Sequence, residues 1–333
     1  IWLGLVGSEM CIRDRFYLVN TLLFSYFSAT NRPMKFLKHI IFFICIGIIP
    51  VLFYNAIHKS DSDPEIQTHR SYKIKSIKLP DSINLAGERV PVEINDVKER
   101  MERELLVNTY WQSNGILLLK RAHKYFPIIE PLLRKYNLPD DFKFLALAES
   151  GFTDETSSAG AAGMWHFMKR TGKEYGLEIN NNVDERYNIE KATAVAAAYL
   201  IKSKERLGSW TLAAAAYNAG NYGISKRLAA QHVDNYYDAK LPNETERYIF
   251  RILALKEIIS NPRKYGFVFD KSDLYTVEKT RTVKVDTAIT NITLFAEKFG
   301  INYKEFKIHN PWLRENKLHN RSRKLYKIKI PLK

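Results

Sequence analysis

The sequence favours helices almost without interruption from Lys98 to about Tyr265, and this run sets the fold class of the chain. Two of its blocks, ATAVAAAYL and WTLAAAAYNAG, are dominated by alanine, which is the strongest helix former and lets neighbouring helices approach closely. The stretch GILLLKRAHKYFPIIEPLLRKY is amphipathic, and we expect Pro127 and Pro131 to break it. The sequence therefore predicts a mainly α fold with a compact helical domain over residues 99–266.

The C-terminal part of the chain has a different pattern. DLYTVEK, TRTVKVD and KLYKIKIPLK alternate as strands do, and TNITLFAEKFGI and NYKEFKIHN favour two short helices between them. These elements predict a small β-α-α-β domain over residues 272–333. A chain of 333 residues is long enough for two ordinary domains, so we place the boundary between them at residues 266–272.

Charge and cysteine content narrow the possible functions. The formal net charge is +15, and residues 271–333 hold 15 Lys or Arg against 6 Asp or Glu. Such a surface favours polyanions, which include nucleic acid, anionic lipid and bacterial cell wall. The two cysteines, Cys11 and Cys45, lie near the N-terminus, and the eight histidines have no paired ligand spacing. We therefore expect no disulfide framework, no metal site and no cofactor in the folded part.

The N-terminal region has the layout of an export signal. Met34 is followed by two lysines and then by an apolar stretch, and residues 34–57 as a whole read as a signal sequence or a membrane anchor. The apolar stretch is short for a full span, and no clear cleavage site follows it. We therefore expect a periplasmic protein of the cell envelope, either exported or anchored in a membrane.

The segments on either side of this signal are expected to lie outside the folded domains. Residues 1–15 resemble a translated sequencing-adaptor read-through, and we exclude residues 1–33 from the fold as non-native sequence. Residues 58–98 are polar and contain three prolines with little periodicity, which predicts a linker.

A candidate active site begins in the stretch LALAESGFTDETSSAGAAGMWHFM, residues 145–168. An apolar helix ends there in Glu149, and a turn rich in Gly, Ser and Ala follows. A carboxyl group packed against Phe144, Leu145 and Leu147 would lose solvation, which raises its pKa and makes it a general acid. The local sequence also fits a helix-end glutamate bonded to nearby amides, so both interpretations stay open at this point.

Four motifs in order favour the first interpretation. They are E-S-G-F at 149–152, S-x-A-G-A-A-G-M-W at 157–165, A-Y-N-A-G at 216–220 and L-P-x-E-T-x-x-Y at 241–248. Their order and spacing resemble the lytic murein transglycosylase family with the lysozyme-like fold, with the membrane-bound type D group as the nearest type. The resemblance covers residues 100–262, and it implies a lysozyme-like helical catalytic domain that cleaves the glycan strands of peptidoglycan.

The resemblance also implies roles for individual residues. Glu149 falls on the family's single catalytic carboxylate, which protonates the glycosidic oxygen between N-acetylmuramic acid and N-acetylglucosamine. The muramyl C6 hydroxyl then attacks C1 and gives a 1,6-anhydro product, so no second carboxylate is needed. The implied substrate-binding residues, which would line the cleft beside this acid, are Ser157, Met168, Tyr217, Asn218 and Tyr248.

One implied position departs from the family pattern. His166 stands where the family usually has glutamine. Both side chains can hydrogen-bond sugar hydroxyls, so we keep His166 among the substrate-binding residues. Its ring is titratable, however, and we expect a pH profile or a sugar contact that differs from the family pattern.

The C-terminal unit resembles a single, divergent LysM module, a β-α-α-β fold that binds glycans containing N-acetylglucosamine. The segments ITNITLFAEKFGINYKEFKIHNPWL and KLYKIKIP carry this resemblance. It implies a glycan-binding domain beside the catalytic one.

Three other functions are compatible with parts of the sequence. A goose-type muramidase would hydrolyse the same bond with the same fold and glutamate, and only the product end would differ. A noncatalytic wall-binding protein would have no need of Glu149, Ser157 and Tyr217 together. A nucleic-acid binder is disfavoured, because no recognised motif accompanies the basic charge and because residues 34–57 have the layout of an export signal. The expected partner is peptidoglycan, with membrane contact through residues 34–57.

Overall fold

The helical part of the protein is built from eight α-helices among the residues that the structure describes. The computed structural model describes residues 74–332, so the predictions for residues 1–33 and 34–57 lie outside the described residues. The helices are α1 Asn95–Tyr110, α2 Gln112–Lys135, α3 Phe142–Ser150, α4 Lys169–Glu174, α5 Ile189–Leu207, α6 Trp210–Ala219, α7 Asn221–Gln231 and α8 Asn243–Ser260. Over this described range, no helix is both long and apolar enough to cross a membrane.

Helix α8 lies at the centre of this helical part. It packs against α1, α3 and α6, and α5 packs against α2 and α6. Residues 213–216 of α6 are all alanine and fully buried, and their small side chains let α6 lie close to its neighbours. Side-chain hydrogen bonds join the last turns of α3 and α6 to the first turns of α8. The candidate site forms at this junction.

The prediction that Pro127 and Pro131 break a helix is wrong, because α2 continues through both of them. The two prolines are four residues apart on an exposed face, so the hydrogen bonds they cannot donate are lost on the solvent side. On the opposite face Ile129 and Leu133 are fully buried. Packing of this face outweighs the local cost of the prolines.

Part of the segment predicted as a linker, residues 58–98, packs against the helices. Strands β1 (Asn84–Leu85) and β2 (Glu88–Arg89) form an antiparallel hairpin, and Leu85 is buried in the main core. The Glu88 carboxylate accepts hydrogen bonds from the first two backbone N–H groups of α6 at 2.6 and 2.8 Å, which caps that helix. Such long-range contacts leave no periodicity in the local sequence.

The C-terminal unit has the expected β-α-α-β order. Strand β3 (Thr280–Val285) pairs antiparallel with β4 (Tyr326–Pro331), and α9 (Ile292–Glu297) and α10 (Tyr303–His309) lie between them in sequence. The stretch DLYTVEK at 273–279, which was predicted as a strand, forms none, because only β3 and β4 pair with each other in this unit.

The core of the C-terminal unit also contains residues from the helical part. Ala162, Val183 and Tyr187 belong to the same buried cluster as Phe306 and Ile328. Backbone contacts reinforce this, since residues 75–333 group into one compact unit. The two parts therefore share a hydrophobic core.

Candidate active site

Helix α3 ends at the acidic residue that the sequence singled out. Its apolar residues Phe144, Leu145 and Leu147 are buried and fix the helix in the core. Gly151 follows with a φ of 55°, a left-handed conformation that suits glycine, and its N–H donates to the Leu147 carbonyl at 2.9 Å. Glu149 thus lies in the last turn of a helix with a fixed end.

The Glu149 carboxyl group is partly buried, and its protonation equilibrium is shifted. Burial raises its pKa from 4.5 to about 7. A hydrogen bond donated by the Tyr248 hydroxyl and the positive charge of Arg251 lower the pKa, while the charge of Glu244 raises it, and burial prevails. A carboxyl group with a pKa near neutrality can both give and take up a proton at pH 7, so Glu149 suits general acid and base catalysis.

Two tyrosines lie beside this carboxyl group. Tyr248 is buried and donates its hydrogen bond directly to Glu149. Tyr217 donates to the backbone oxygen of Trp165 at 2.6 Å. Burial, followed by the nearby charge of Glu149, raises the pKa of both phenols well above the ordinary value. Both tyrosines are therefore neutral hydrogen-bond donors beside the acid.

Asn218 connects the two helices that carry these tyrosines. Its side-chain oxygen accepts a hydrogen bond from the Thr245 hydroxyl at 2.8 Å, which ties the end of α6 to the first turn of α8. The structure thus brings Glu149, Tyr217 and Tyr248 together and places Asn218 at the edge of the same junction.

Ser157 lies in the turn that follows α3. Its hydroxyl oxygen accepts a hydrogen bond from the backbone N–H of Ala161 at 2.9 Å, and its own N–H donates to the Ala161 carbonyl at the same distance. Among the described residues no hydrogen bond joins Ser157 to Glu149. The serine closes its own turn, and its hydroxyl proton is not used by these bonds.

His166 and Met168 occupy the end of the same loop. His166 has a φ of 47°, and its buried ring Nε2 has no hydrogen-bond partner among the described residues. Burial lowers the pKa of this histidine, so its ring is neutral near pH 7. Met168 is 44% exposed immediately before α4, so its side chain faces solvent beside the loop.

Sequence reasoning missed two residues that hold this loop in place. The Ser150 hydroxyl donates to the Met164 carbonyl at 2.9 Å, which joins the end of α3 to the loop. Gly163 has a φ of 77°, and a Cβ added there would lie 1.9 Å from the Arg186 carbonyl oxygen. Both residues lie inside motifs that carried the family resemblance, but their contacts are visible only in three dimensions.

Metal binding has no support among the described residues. Over residues 74–332 no group of three or more His, Cys, Asp or Glu side chains could hold a metal ion.

Residues 126–238, which include Glu149, Tyr217 and the glycine-rich loop, match the model of the transglycosylase SLT domain family. Residues 281–333 match the model of the soluble lytic transglycosylase C-terminal LysM-like domain. The chain thus carries both domains in this order, and the predicted fold class is confirmed.

Curated relatives point to the same group. Two proteins named membrane-bound lytic murein transglycosylase D, from Escherichia coli strains K12 and CFT073, are each 29% identical to this chain over 187 residues. The match covers 54% of this chain and 40% of each relative, so the chain spans well under two thirds of their length. The sequence resemblance to the type D group is thereby confirmed.

Proposed function

We propose that this protein is a peptidoglycan lytic transglycosylase that cleaves the β-1,4 bond between N-acetylmuramic acid and N-acetylglucosamine and leaves 1,6-anhydro ends. The observation that carries the proposal is the Glu149 carboxyl group, whose pKa of about 7 suits it to donate a proton at neutral pH. The SLT domain match and the names of the two relatives support the same reaction.

The reaction needs one acid and no water. Glu149 gives its proton to the glycosidic oxygen as the bond from that oxygen to C1 breaks. The C6 hydroxyl of the same muramyl residue then forms a bond to C1 and loses its proton to the Glu149 carboxylate. The acid is thereby regenerated, and a pKa near neutrality suits both halves of this cycle.

The remaining site residues position the sugar and the acid. Tyr248 holds the carboxyl group by its hydrogen bond, and Tyr217 fixes the loop through the Trp165 carbonyl. We also assign His166 to sugar contact, from its place at the end of the loop that follows α3. The other residues that we assign to the substrate cleft, from their place on the loop and at the end of α6, are Ser157, Met168 and Asn218.

The proposed partner and location follow from the proposed reaction. The substrate is the glycan strand of peptidoglycan, and we therefore propose a location in the cell envelope. We keep 99–266 and 272–333 as the proposed bounds of the two domains. We propose glycan binding for the C-terminal unit because it matches a LysM-like family.

The experiment that tests this proposal is digestion of purified peptidoglycan followed by mass spectrometry of the released fragments. The proteins compared are the wild type, Glu149→Gln, and the control Glu205→Gln, which changes an exposed carboxylate on α5. We expect fragments lighter by one water from the wild type and the control, and none from Glu149→Gln. Hydrated reducing ends would instead identify a muramidase.

A protein that binds peptidoglycan without releasing any fragment would overturn the proposal. In that case a pull-down with insoluble peptidoglycan would show binding that is equal for the wild type and Glu149→Gln. The two readouts together separate an enzyme from a binding protein.

A further inference from the structure

Several contacts between the C-terminal LysM-like unit and the catalytic part converge on residues 182–187, which we call the bridge segment. Val183 pairs with Leu313 in an isolated β-bridge, and the Asp184 N–H donates to the Trp312 carbonyl at 2.8 Å. The Arg314 guanidinium lies 4.3 Å from the centre of the Tyr187 ring. These contacts exceed what a flexibly tethered binding module requires.

Asn182 makes the most specific of these contacts. It is 7% exposed, and its side-chain nitrogen donates to the Lys317 carbonyl at 2.6 Å and to the Glu315 carboxylate at 3.2 Å. Its side-chain oxygen accepts from the His319 N–H at 2.8 Å. The neighbouring Asn181 is exposed, which makes it a matched control for any change at Asn182.

The bridge segment also contacts the loop that follows Glu149, residues 156–167, which we call the site loop. The Arg186 guanidinium donates to the carbonyls of Gly160 and Phe167 at 2.8 and 3.0 Å, so it grips the loop at two points. Asp184 fixes this guanidinium with bonds of 2.7 to 3.3 Å. The Tyr187 hydroxyl lies 3.0 Å from the Thr156 hydroxyl.

The site loop in turn contacts the residues around the acid. Its Met164 and Trp165 carbonyls accept hydrogen bonds from Ser150, next to Glu149 in sequence, and from Tyr217. A continuous series of contacts thus runs from the LysM-like unit through the bridge segment and the site loop to the end of α3. Movement at the start of the series would loosen the surroundings of the carboxyl group.

We infer that the LysM-like unit holds the catalytic site in its working geometry, with Asn182 and Arg186 as positioning residues that act through the site loop. This inference rests on the proposed function, since it names what sustains the activity of that same site. It differs from glycan binding, because it concerns the rate of the chemical step and not the attachment of the enzyme to its substrate.

The test compares kcat and KM of the full-length wild type, Asn182→Ala and Asn181→Ala on short soluble peptidoglycan fragments, with pH profiles for each. We expect Asn182→Ala to lower kcat by about tenfold with KM close to wild type, since small misplacements of catalytic groups cost rate. Its activity should also fall at a lower pH, because a looser loop admits water to Glu149. Asn181→Ala should match the wild type.

Hydrogen exchange of the backbone amides provides a second readout. We expect faster exchange in residues 156–167 of Asn182→Ala than in the wild type, and the same exchange rates as in the wild type in α5. A folded Asn182→Ala protein with wild-type kcat and wild-type exchange in the site loop would overturn the inference, as would a defect confined to KM. If Asn182→Ala does not fold, Lys324→Gln takes its place, because Lys324 bridges Glu178 and Glu185 from the LysM-like side at 2.6 and 3.1 Å.

The two proposals fail in different ways. A wild-type protein that releases no fragment overturns the proposed function, and the exchange measurement then decides by itself whether the LysM-like unit orders the site loop. An active wild type with no difference between Asn182→Ala and Asn181→Ala overturns only the positioning role.

Discussion

Glu149 in the candidate active site and Glu178 at the contact between the two parts are both partly buried glutamates that accept a hydrogen bond from a tyrosine. Tyr248 donates to Glu149, and Tyr326 donates to Glu178 at 2.8 Å. Glu178, however, also accepts from the Lys324 ammonium at 2.6 Å. The cation near Glu149 is Arg251, which acts on the pKa of Glu149 through its charge. The two regions thus differ in whether a cation hydrogen-bonds the carboxylate directly.

This difference decides whether the pKa of the buried carboxyl group is raised or lowered. Burial raises the pKa of both carboxyl groups, but at Glu178 the hydrogen bonds from Lys324 and Tyr326 outweigh it, so the pKa is lowered. At Glu149 the Tyr248 hydrogen bond and the charge of Arg251 do not outweigh burial, and the pKa is raised to about 7. A phenol and a cation that is not directly bonded leave a buried carboxyl group able to exchange its proton, whereas a directly bonded ammonium keeps it ionised.

Replacing each glutamate by glutamine gives the largest expected contrast. Glu149→Gln should lower activity on peptidoglycan by a factor of about 100 to 10,000, because the proton donor is lost. Glu178→Gln should keep the proton donor and instead lower the free energy of unfolding at pH 7 by about 1 kcal/mol, through loss of a charged pair. Digestion assays and thermal unfolding of both variants check this pair of outcomes.

The difference in unfolding free energy between the wild type and each variant should change with pH in opposite directions for Glu149→Gln and Glu178→Gln. The folded pKa of Glu149 is raised, so its stabilising contribution is complete below 4.5 and is lost as pH rises through about 7. At pH 8 Glu149→Gln should therefore be more stable than the wild type by about 1 to 2 kcal/mol, after allowance for partial exposure. The folded pKa of Glu178 is lowered, so its contribution is lost as pH falls through that value. If both stability differences changed in the same direction with pH, the contrast between Glu149 and Glu178 would be contradicted.

A further effect on stability is expected at Gly163, where the active-site region and the contact region meet. A Cβ at Gly163 would lie 1.9 Å from the Arg186 carbonyl oxygen, whereas at Gly160 it would meet nothing within 4 Å. Both glycines have a positive φ, so both alanine variants carry backbone strain of about 1 to 2 kcal/mol.

Chemical denaturation measures this difference directly. Gly163→Ala should lose about 3 kcal/mol or more of unfolding free energy, because the backbone must move to relieve the clash. Gly160→Ala should lose only the unfolding free energy that corresponds to its backbone strain. Equal losses in the two variants would show that the site loop and the bridge segment are not in close contact.

The sequence predicted the features that depend on short stretches of chain. Glu149 was identifiable because an apolar helix ends beside it at Gly151 and because a motif match marks the position. Its bond to Tyr248 joins residues 99 positions apart, and the role of Asn182 depends on residues more than 130 positions away. Local sequence patterns do not show which distant residues will meet. The prediction for the prolines of α2 was wrong for the same reason, because burial of the opposite face keeps that helix continuous.

A smaller effect is expected from removing the tyrosine hydroxyls. Because the Tyr248 hydrogen bond lowers the pKa of Glu149, Tyr248→Phe should raise that pKa and move the alkaline limb of the pH–activity profile upward. Tyr326→Phe should leave this limb in place, since Lys324 keeps Glu178 ionised. The measurement is kcat/KM across pH for both variants, and an alkaline limb that moves downward in Tyr248→Phe would contradict the assignment of Glu149 as the titrating acid.

The smallest effect is expected at His166, whose ring nitrogen is buried without a partner and whose pKa is lowered by burial. A neutral imidazole and a carboxamide offer similar hydrogen bonds to a sugar, so His166→Gln should change kcat/KM at pH 7 by a few-fold at most, about 1 kcal/mol. The difference should grow as pH falls through the lowered pKa of His166, because only the histidine then gains a positive charge. An activity ratio that stays constant down to the acid limit of the assay would contradict a role for the His166 charge in the reaction.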